Sequence, residues 1–169
     1  VTACVTFGTA WMMTRLARLL WPNNETIAAL SLWLFLGLPL VLAYGHLILY
    51  DFLLSLFVVS SMCALVLAAT TRRYSAFLLL GACIGLGGLA KGPVVLLHVL
   101  PAAVLLPVWA PQRHNMFRWY SGIVLGVLIG FAIALAWAIP AAIRGGPTYA
   151  HMIFFGQSTG RIVHAFDHA

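Results

Sequence analysis

The stretch FLLSLFVVSSMCALVLAATT, residues 52–71, runs for 20 residues without Asp, Glu, Lys or Arg. A helix needs about 20 predominantly apolar residues to cross the hydrocarbon core of a membrane. Four further stretches are equally free of these charges, at residues 26–50, 74–90, 92–112 and 119–143. One such stretch is compatible with a buried helix of a soluble protein, but five in succession are not. Together with the apolar residues 1–13, the pattern predicts one partial and five complete membrane spans.

The composition excludes the main soluble classes of protein. Of the 169 residues, 63% are hydrophobic and 7% are charged, and the mean hydropathy is +1.04. A soluble domain carries roughly 25% charged residues, and a disordered chain needs low hydrophobicity and high charge. The net charge of +6 does not indicate a nucleic-acid partner, because the basic residues do not cluster on one polar element. We therefore predict an all-α, polytopic transmembrane helix bundle.

The predicted organisation has two parts. Residues 1–143 form the transmembrane helical region, and residues 144–169 form an external juxtamembrane segment. The chain begins at Val1 inside an apolar stretch and ends at Ala169 inside a polar one. We therefore expect it to be a piece of a longer membrane protein, with the external segment truncated. The three cysteines lie in apolar runs and are expected to be packing residues.

The basic residues predict the orientation. Six arginines fall in alternate connections and therefore share one side of the membrane: Arg15, Arg18, Arg72, Arg73, Arg113 and Arg118. The other side has three basic residues: Lys91, Arg144 and Arg161. The positive-inside rule places the six in the cytoplasm. The loop at residues 44–51, a tight turn at residues 91–93 and the polar tail then lie outside. This asymmetry predicts that any chemistry takes place on the external face.

Small residues predict close helix packing. Glycines recur on one side of the fourth span and every four residues in the sixth: Gly81, Gly85 and Gly88, then Gly122, Gly126 and Gly130. Small residues at this spacing allow two helix backbones to approach closely in lipid. We interpret both sets as packing surfaces without a further role.

Two charged residues at the ends of apolar stretches are candidate site residues. Asp51 is the only acidic residue between Glu25 and Asp167, and a carboxylate at membrane depth indicates function. It could act as a metal ligand, a general base or an acceptor for a sugar hydroxyl. Lys91 could bind a phosphate at the membrane boundary. Equally, the helix dipole favours an acid at a helix start and a cation at a helix end, so both residues are open to a purely structural interpretation.

The polar tail holds further candidates. Arg161 suits a lipid phosphate, because a guanidinium binds phosphate oxygens through paired hydrogen bonds. His164 and His168 are four residues apart, which fits a metal site on a helix, although two histidines alone do not define one. His98 lies inside a span and is more simply a packing or hydrogen-bonding residue.

Three segments in order resemble the membrane region of bacterial aminoarabinose-transferase-like glycosyltransferases, relatives of the protein O-mannosyltransferases. They are YGHLILYD at residues 44–51, GLAKGP at residues 88–93 and FGQSTGR at residues 155–161. The resemblance covers nearly the whole chain and implies part of a C-type glycosyltransferase fold. Members of this family transfer a sugar from a polyprenyl-phosphate donor to a lipid, protein or glycan acceptor on the outer face of the membrane, usually with inversion at the anomeric carbon.

The resemblance also implies roles for individual residues. Asp51 corresponds to the second acidic residue of the external active site, where it holds a divalent metal ion or orients the acceptor. Arg161 matches an arginine expected near the donor phosphate. Lys91 matches a family lysine without a defined role, and Gln157 and His164 are candidate site-lining residues. The family's principal catalytic aspartate and its soluble external domain have no counterpart here, so we expect the chain to be inactive alone.

Two other classes of function compete with this one. A transporter or lipid flippase would also consist of many spans with few charges, but it should place ionisable residues near the bilayer midplane. A structural membrane subunit would tolerate neutral substitutions at Asp51 and Arg161. The charged residues Asp51, Lys91 and Arg161 are predicted at one face, which favours an enzyme of the bacterial cytoplasmic membrane with an external active site.

Overall fold

The computed structural model describes residues 1–39, 41, 49–71, 73–109 and 115–151. Within these ranges the longer elements are all helices and no strand is present. They are α1 (Thr2–Leu20), α2 (Glu25–Gly37), α3 (Leu49–Thr71), α4 (Tyr74–Lys91), α5 (Val94–Trp109) and α6 (Met116–His151). The predicted all-α helix bundle is confirmed.

Among the described residues, three helices are long and apolar enough to cross a membrane, at Tyr50–Thr71, Tyr74–Lys91 and Met116–Gly146. Two shorter apolar helical segments in the described ranges, Glu25–Gly37 and Val94–Leu105, overlap the predicted second and fifth spans. The described residues thus support three of the five complete spans by length and composition. The total number of spans stays a prediction.

Helix α2 is much shorter than the uncharged stretch that contains it. It begins after Asn24, whose side chain accepts a hydrogen bond from the Ile27 N–H at 3.2 Å. It ends at Gly37 because Leu38 precedes Pro39, and a proline disfavours helical backbone in the residue before it. Leu38 is accordingly extended, with φ −61° and ψ 129°. The length of the uncharged stretch therefore overestimated the length of α2.

The core lies where α3, α4 and α5 meet. Leu65 on α3, Leu80 on α4, and Val95 and Val99 on α5 are each at most 1% exposed. Helix α1 packs on the outer side of α3, and α6 packs on α4. Ser61, also fully buried, donates to the carbonyl oxygen of Phe57 in its own helix at 2.7 Å. Such internal pairing is required where no water reaches a polar group.

Helices α4 and α6 approach backbone to backbone along the predicted glycine surfaces. A Cβ atom at Gly81 would lie 2.6 Å from the Gly126 carbonyl oxygen, and one at Gly85 would lie 3.0 Å from that of Gly130. Distances this short leave no room for a side chain. We call this contact the glycine seam. Gly88 is not part of it, because nothing lies within 4 Å of the position its Cβ would occupy.

A proline in α5 is compensated by a tryptophan of α6. Pro107 has no N–H, so the Ala103 carbonyl four residues earlier lacks its usual helical donor. The Trp119 indole N–H donates to that carbonyl at 2.9 Å in a buried position. Trp119 also packs edge-on against Phe77 of α4. This replacement allows a proline-containing helix to persist in an apolar surrounding.

The outer surface of the bundle is apolar. Large side chains are mostly exposed on several helices, including Trp33 (69%), Leu97 (75%) and Ile143 (77%). A water-soluble monomer rarely exposes continuous apolar surface on this scale, whereas lipid solvates it. Helix α6 continues past Arg144 to a break at Gly146, where φ is 79°. Helical structure therefore extends into the predicted juxtamembrane segment.

Candidate functional site

Asp51 lies in the first turn of α3, the helix that begins at Leu49. A negative charge is favourable there, because the unpaired N–H groups of a helix start carry partial positive charge. The Ser55 hydroxyl donates to the Asp51 backbone carbonyl at 2.9 Å. This bond involves the backbone of Asp51 and not its carboxylate, which contacts a residue outside its own helix.

Lys91 is the last residue of α4, which places its cation where the helix dipole favours it. Gly92 ends the helix with a φ of 73° and donates its N–H to the Gly88 carbonyl at 2.7 Å. A positive φ at this position suits glycine and disfavours other residues. Helix α5 begins two residues later at Val94. The tight turn predicted at residues 91–93 is confirmed.

The two residues form an ion pair. The Lys91 ammonium donates a hydrogen bond to Oδ1 of Asp51 across 40 residues of sequence. The pair forms because α3 and α4 are consecutive neighbours, which brings the start of one helix beside the end of the other. The side chains are 35% exposed at Lys91 and 48% exposed at Asp51. Both charged groups are therefore within reach of a ligand arriving at this end of the bundle.

The arrangement of this pair suits polar chemistry at a membrane boundary. Its charges lie at helix ends, whereas transporter sites lie near the midplane at broken helices. A half-exposed pair of this kind contributes little to stability. An ammonium beside a carboxylate can bind a phosphate oxygen, and the carboxylate can accept a hydrogen bond or a proton from a hydroxyl.

The remaining predicted site residues, Gln157, Arg161 and His164, lie outside the described residues, as does His168. Within the described ranges, no three His, Cys, Asp or Glu side chains lie together as possible metal ligands. The described residues alone therefore do not make up a metal site, and the divalent metal ion at Asp51 stays a prediction. His98 donates from Nδ1 to the Val94 carbonyl at 2.9 Å, which confirms its hydrogen-bonding role.

Sequence reasoning identified Asp51 and Lys91 separately but not their contact. The signal was present, since both were predicted at the external ends of adjacent, oppositely directed spans. Such ends meet when the two helices pack as a hairpin. The contact itself depends on how far each side chain extends from its helix end, and spacing along the chain does not give that.

The chain matches the family model described as dolichyl-phosphate-mannose-protein mannosyltransferase over residues 1–139. Curated relatives named undecaprenyl phosphate-alpha-4-amino-4-deoxy-L-arabinose arabinosyl transferase are also similar. The relative from Photorhabdus laumondii is 34% identical, over 92% of this chain and 28% of its own length.

Two further relatives are 30% identical to this chain. The relative from Enterobacter sp. aligns over 90% of this chain and 27% of its own length. The arabinosyl transferase 1 of Proteus mirabilis aligns over 96% of this chain and 30% of its own length. The chain thus spans under a third of the length of these relatives. No solved structure gives a significant match. Since the family model covers most of the chain, the protein belongs to the dolichyl-phosphate-mannose-protein mannosyltransferase family.

Proposed function

We propose that this chain is part of a glycosyltransferase that moves a sugar from a polyprenyl-phosphate donor to an acceptor at the outer face of a bacterial cytoplasmic membrane. Membership of the mannosyltransferase family and the names of the arabinosyl transferase relatives support this class of reaction. The observation that carries the proposal is the Asp51–Lys91 ion pair at one end of an apolar bundle.

Lys91 acts on the donor in this proposal. When the bond between the anomeric carbon and the phosphate oxygen breaks, its electron pair stays on the phosphate, which gains negative charge. An ammonium positioned at that oxygen stabilises the transition state. The Lys91 cation is 35% exposed and fixed at a helix end, so a lipid-linked phosphate can reach it from the membrane boundary.

Asp51 acts on the acceptor. An acceptor hydroxyl attacks the anomeric carbon from the side opposite the phosphate, forming a new carbon–oxygen bond with inversion. The hydroxyl proton passes to the Asp51 carboxylate, which is the one described carboxylate at this end of the bundle. Binding of a donor phosphate to Lys91 weakens its pairing with Asp51 and leaves the carboxylate free to accept this proton.

The predicted residues of the tail would complete the site. We assign Arg161 to the donor phosphate, and Gln157 and His164 to the site lining. A divalent metal held in part by Asp51 is an alternative use of the same carboxylate. Six basic residues are predicted on the opposite side of the membrane from Asp51 and Lys91, and three on the same side. This distribution supports an external orientation for the end of the bundle that carries the ion pair. The transporter alternative gains no support, because the Asp51–Lys91 charges lie at helix ends.

The test compares wild type with Asp51→Asn in the full-length protein in membranes, at matched expression. The assay measures sugar transfer from a polyprenyl-phosphate donor, since the 169 residues alone are expected to be inactive. A general base contributes a factor of about 10²–10⁴ in rate, and we expect a loss of that size. Glu25→Gln is the matched control, because it neutralises a carboxylate that is paired with Arg18 instead.

Unchanged transfer by Asp51→Asn would contradict a role in the reaction and would leave Asp51 a structural role at the helix start. Equal losses in Asp51→Asn and Glu25→Gln would indicate a general effect of removing charge. Absence of transfer by the wild-type protein would contradict the proposed reaction.

A further inference from the structure

A groove lies between α1, α3 and α4, away from the Asp51–Lys91 pair. Its volume is about 480 Å³, within the range of roughly 300–1,000 Å³ typical of ligand sites. We call it the arginine groove. Its lining residues are Trp11, Met12, Arg15, Arg18 and Leu19 of α1, Ser60, Cys63 and Leu67 of α3, and Leu79 and Cys83 of α4.

The arginine groove lies towards the opposite end of the bundle from the ion pair. Along α3, Ser60 and Leu67 follow Asp51 by about 14 and 24 Å at the rise of an α-helix. Along α4, Leu79 precedes Lys91 by about 18 Å. A ligand in this groove is therefore separate from the donor and acceptor proposed at the ion pair.

The charges of the arginine groove are unbalanced. Arg18 donates from both Nε and Nη2 to one carboxylate oxygen of Glu25, at 3.1 and 3.0 Å. Of the two carboxylates that the structure describes, Glu25 pairs with Arg18 and Asp51 with Lys91. Arg15 pairs with neither and is exposed. A guanidinium that pairs with neither described carboxylate is thus present at a site whose other lining, apart from Arg18, is uncharged and mostly apolar.

An apolar groove with a cation favours a ligand that has an apolar chain and an anionic group. Basic pockets between membrane helices bind anionic lipid headgroups in this way. A free inorganic anion would leave the apolar lining unused. A zwitterionic headgroup gains less from a guanidinium, because its own cation already offsets the charge of its phosphate.

We propose that the arginine groove binds an anionic phospholipid of the membrane, with one acyl chain along the apolar lining and the phosphate on Arg15. Arg15 is the specificity-determining residue, and Ser60 and Cys63 line the path of the chain. This proposal depends on the membrane location of the bundle and is independent of the sugar transfer proposed at Asp51 and Lys91.

The test is native mass spectrometry of the full-length protein, with phosphatidylglycerol or phosphatidylcholine added in equal amounts. We expect phosphatidylglycerol to be retained preferentially by wild type. In Arg15→Gln its affinity should fall about tenfold, the usual order for losing a hydrogen bond to a charged group. Arg73→Gln is the matched control, because Arg73 is an exposed arginine outside the groove. It should bind as wild type does.

A second variant tests the position of the acyl chain. Ser60→Leu leaves Arg15 in place and fills part of the groove with a larger side chain, so phosphatidylglycerol retention should fall without any change at the cation. Equal retention of both lipids by wild type, or equal losses in Arg15→Gln and Arg73→Gln, would overturn the proposal. Displacement of the phospholipid by a polyprenyl phosphate would also overturn it, since the groove would then belong to the donor.

Discussion

Helix α4 contacts its two main neighbours in two different ways. Along its side, the glycine seam brings it against α6 with no space for a Cβ at Gly81. At its end, Lys91 contacts α3 through a half-exposed ion pair with Asp51. The seam is buried and uncharged, so removing its fit should cost stability. The ion pair is exposed to ligands and contributes little to stability, so changing it should cost activity.

After Asp51→Asn, the largest effect is expected at Lys91. In Lys91→Gln, the proposed contact to the donor phosphate loses its charge, and kcat/KM for the donor should fall by about 10²-fold. The melting temperature should change little, because exposed ion pairs contribute about 0–1 kcal/mol. Transfer assays and thermal unfolding of the full-length protein in detergent measure the two quantities separately. A Lys91→Gln variant with a lowered melting temperature and normal sugar transfer would contradict the assignment of the ion pair to activity and not to stability.

The opposite pattern is expected at the glycine seam. Gly81→Ala places a Cβ 2.6 Å from a backbone carbonyl oxygen and 2.8 Å from the Cβ of Ile129. Overpacking of this kind costs about 1–3 kcal/mol, so thermal stability should fall while transfer by the folded fraction persists. Gly88→Ala is the matched control on the same helix, since its Cβ would meet nothing within 4 Å. Equal destabilisation by both variants would contradict the role of the seam, because helix propensity alone favours alanine over glycine at both positions.

Gly92 combines both kinds of effect. Its φ of 73° is strained for any residue with a Cβ, although no atom lies within 4 Å of that position. Gly92→Ala should therefore cost about 1–3 kcal/mol from the backbone alone. Since Lys91 precedes the turn, transfer should fall as well, in contrast to Gly81→Ala. Full activity in Gly92→Ala would show that the turn does not position Lys91.

The smallest effect is expected at the other ion pair. Arg18 and Glu25 join α1 to α2 across seven residues, and their side chains are 46% and 71% exposed. Glu25→Gln should change stability by about 1 kcal/mol or less and leave transfer within about twofold of wild type. A loss of transfer comparable to that of Lys91→Gln would contradict the distinction between the two pairs.

Much of this architecture was predictable from the sequence. Uncharged length predicted the three long apolar helices, and the sequence Lys-Gly-Pro predicted the turn after α4. Glycine spacing predicted the close approach of Gly81 to α6 but also included Gly88, which meets no neighbour. Two packed helices are in close contact over only a few turns before they diverge. Periodicity identifies a face and does not show where along it the contact ends.

The candidate site was less accessible to sequence reasoning. The glycine spacing does not indicate Gly87 as a packing residue, yet a Cβ at Gly87 would lie 2.9 Å from the Val95 side chain. The pairing of Asp51 with Lys91 and the groove beside Arg15 both depend on tertiary placement of side chains. The end of α2 at Gly37 has a local signal in Pro39, which the length of the uncharged stretch does not reflect.

In the proposed function, Asp51 and Lys91 act together on one reaction. A double-mutant cycle of Asp51→Asn, Lys91→Gln and the combined variant tests this directly, with sugar transfer by the full-length protein as the readout. Residues that act as a unit show strongly non-additive losses. The double variant should therefore be about as impaired as the worse single variant. Losses that multiply, or full activity in either single variant, would contradict it.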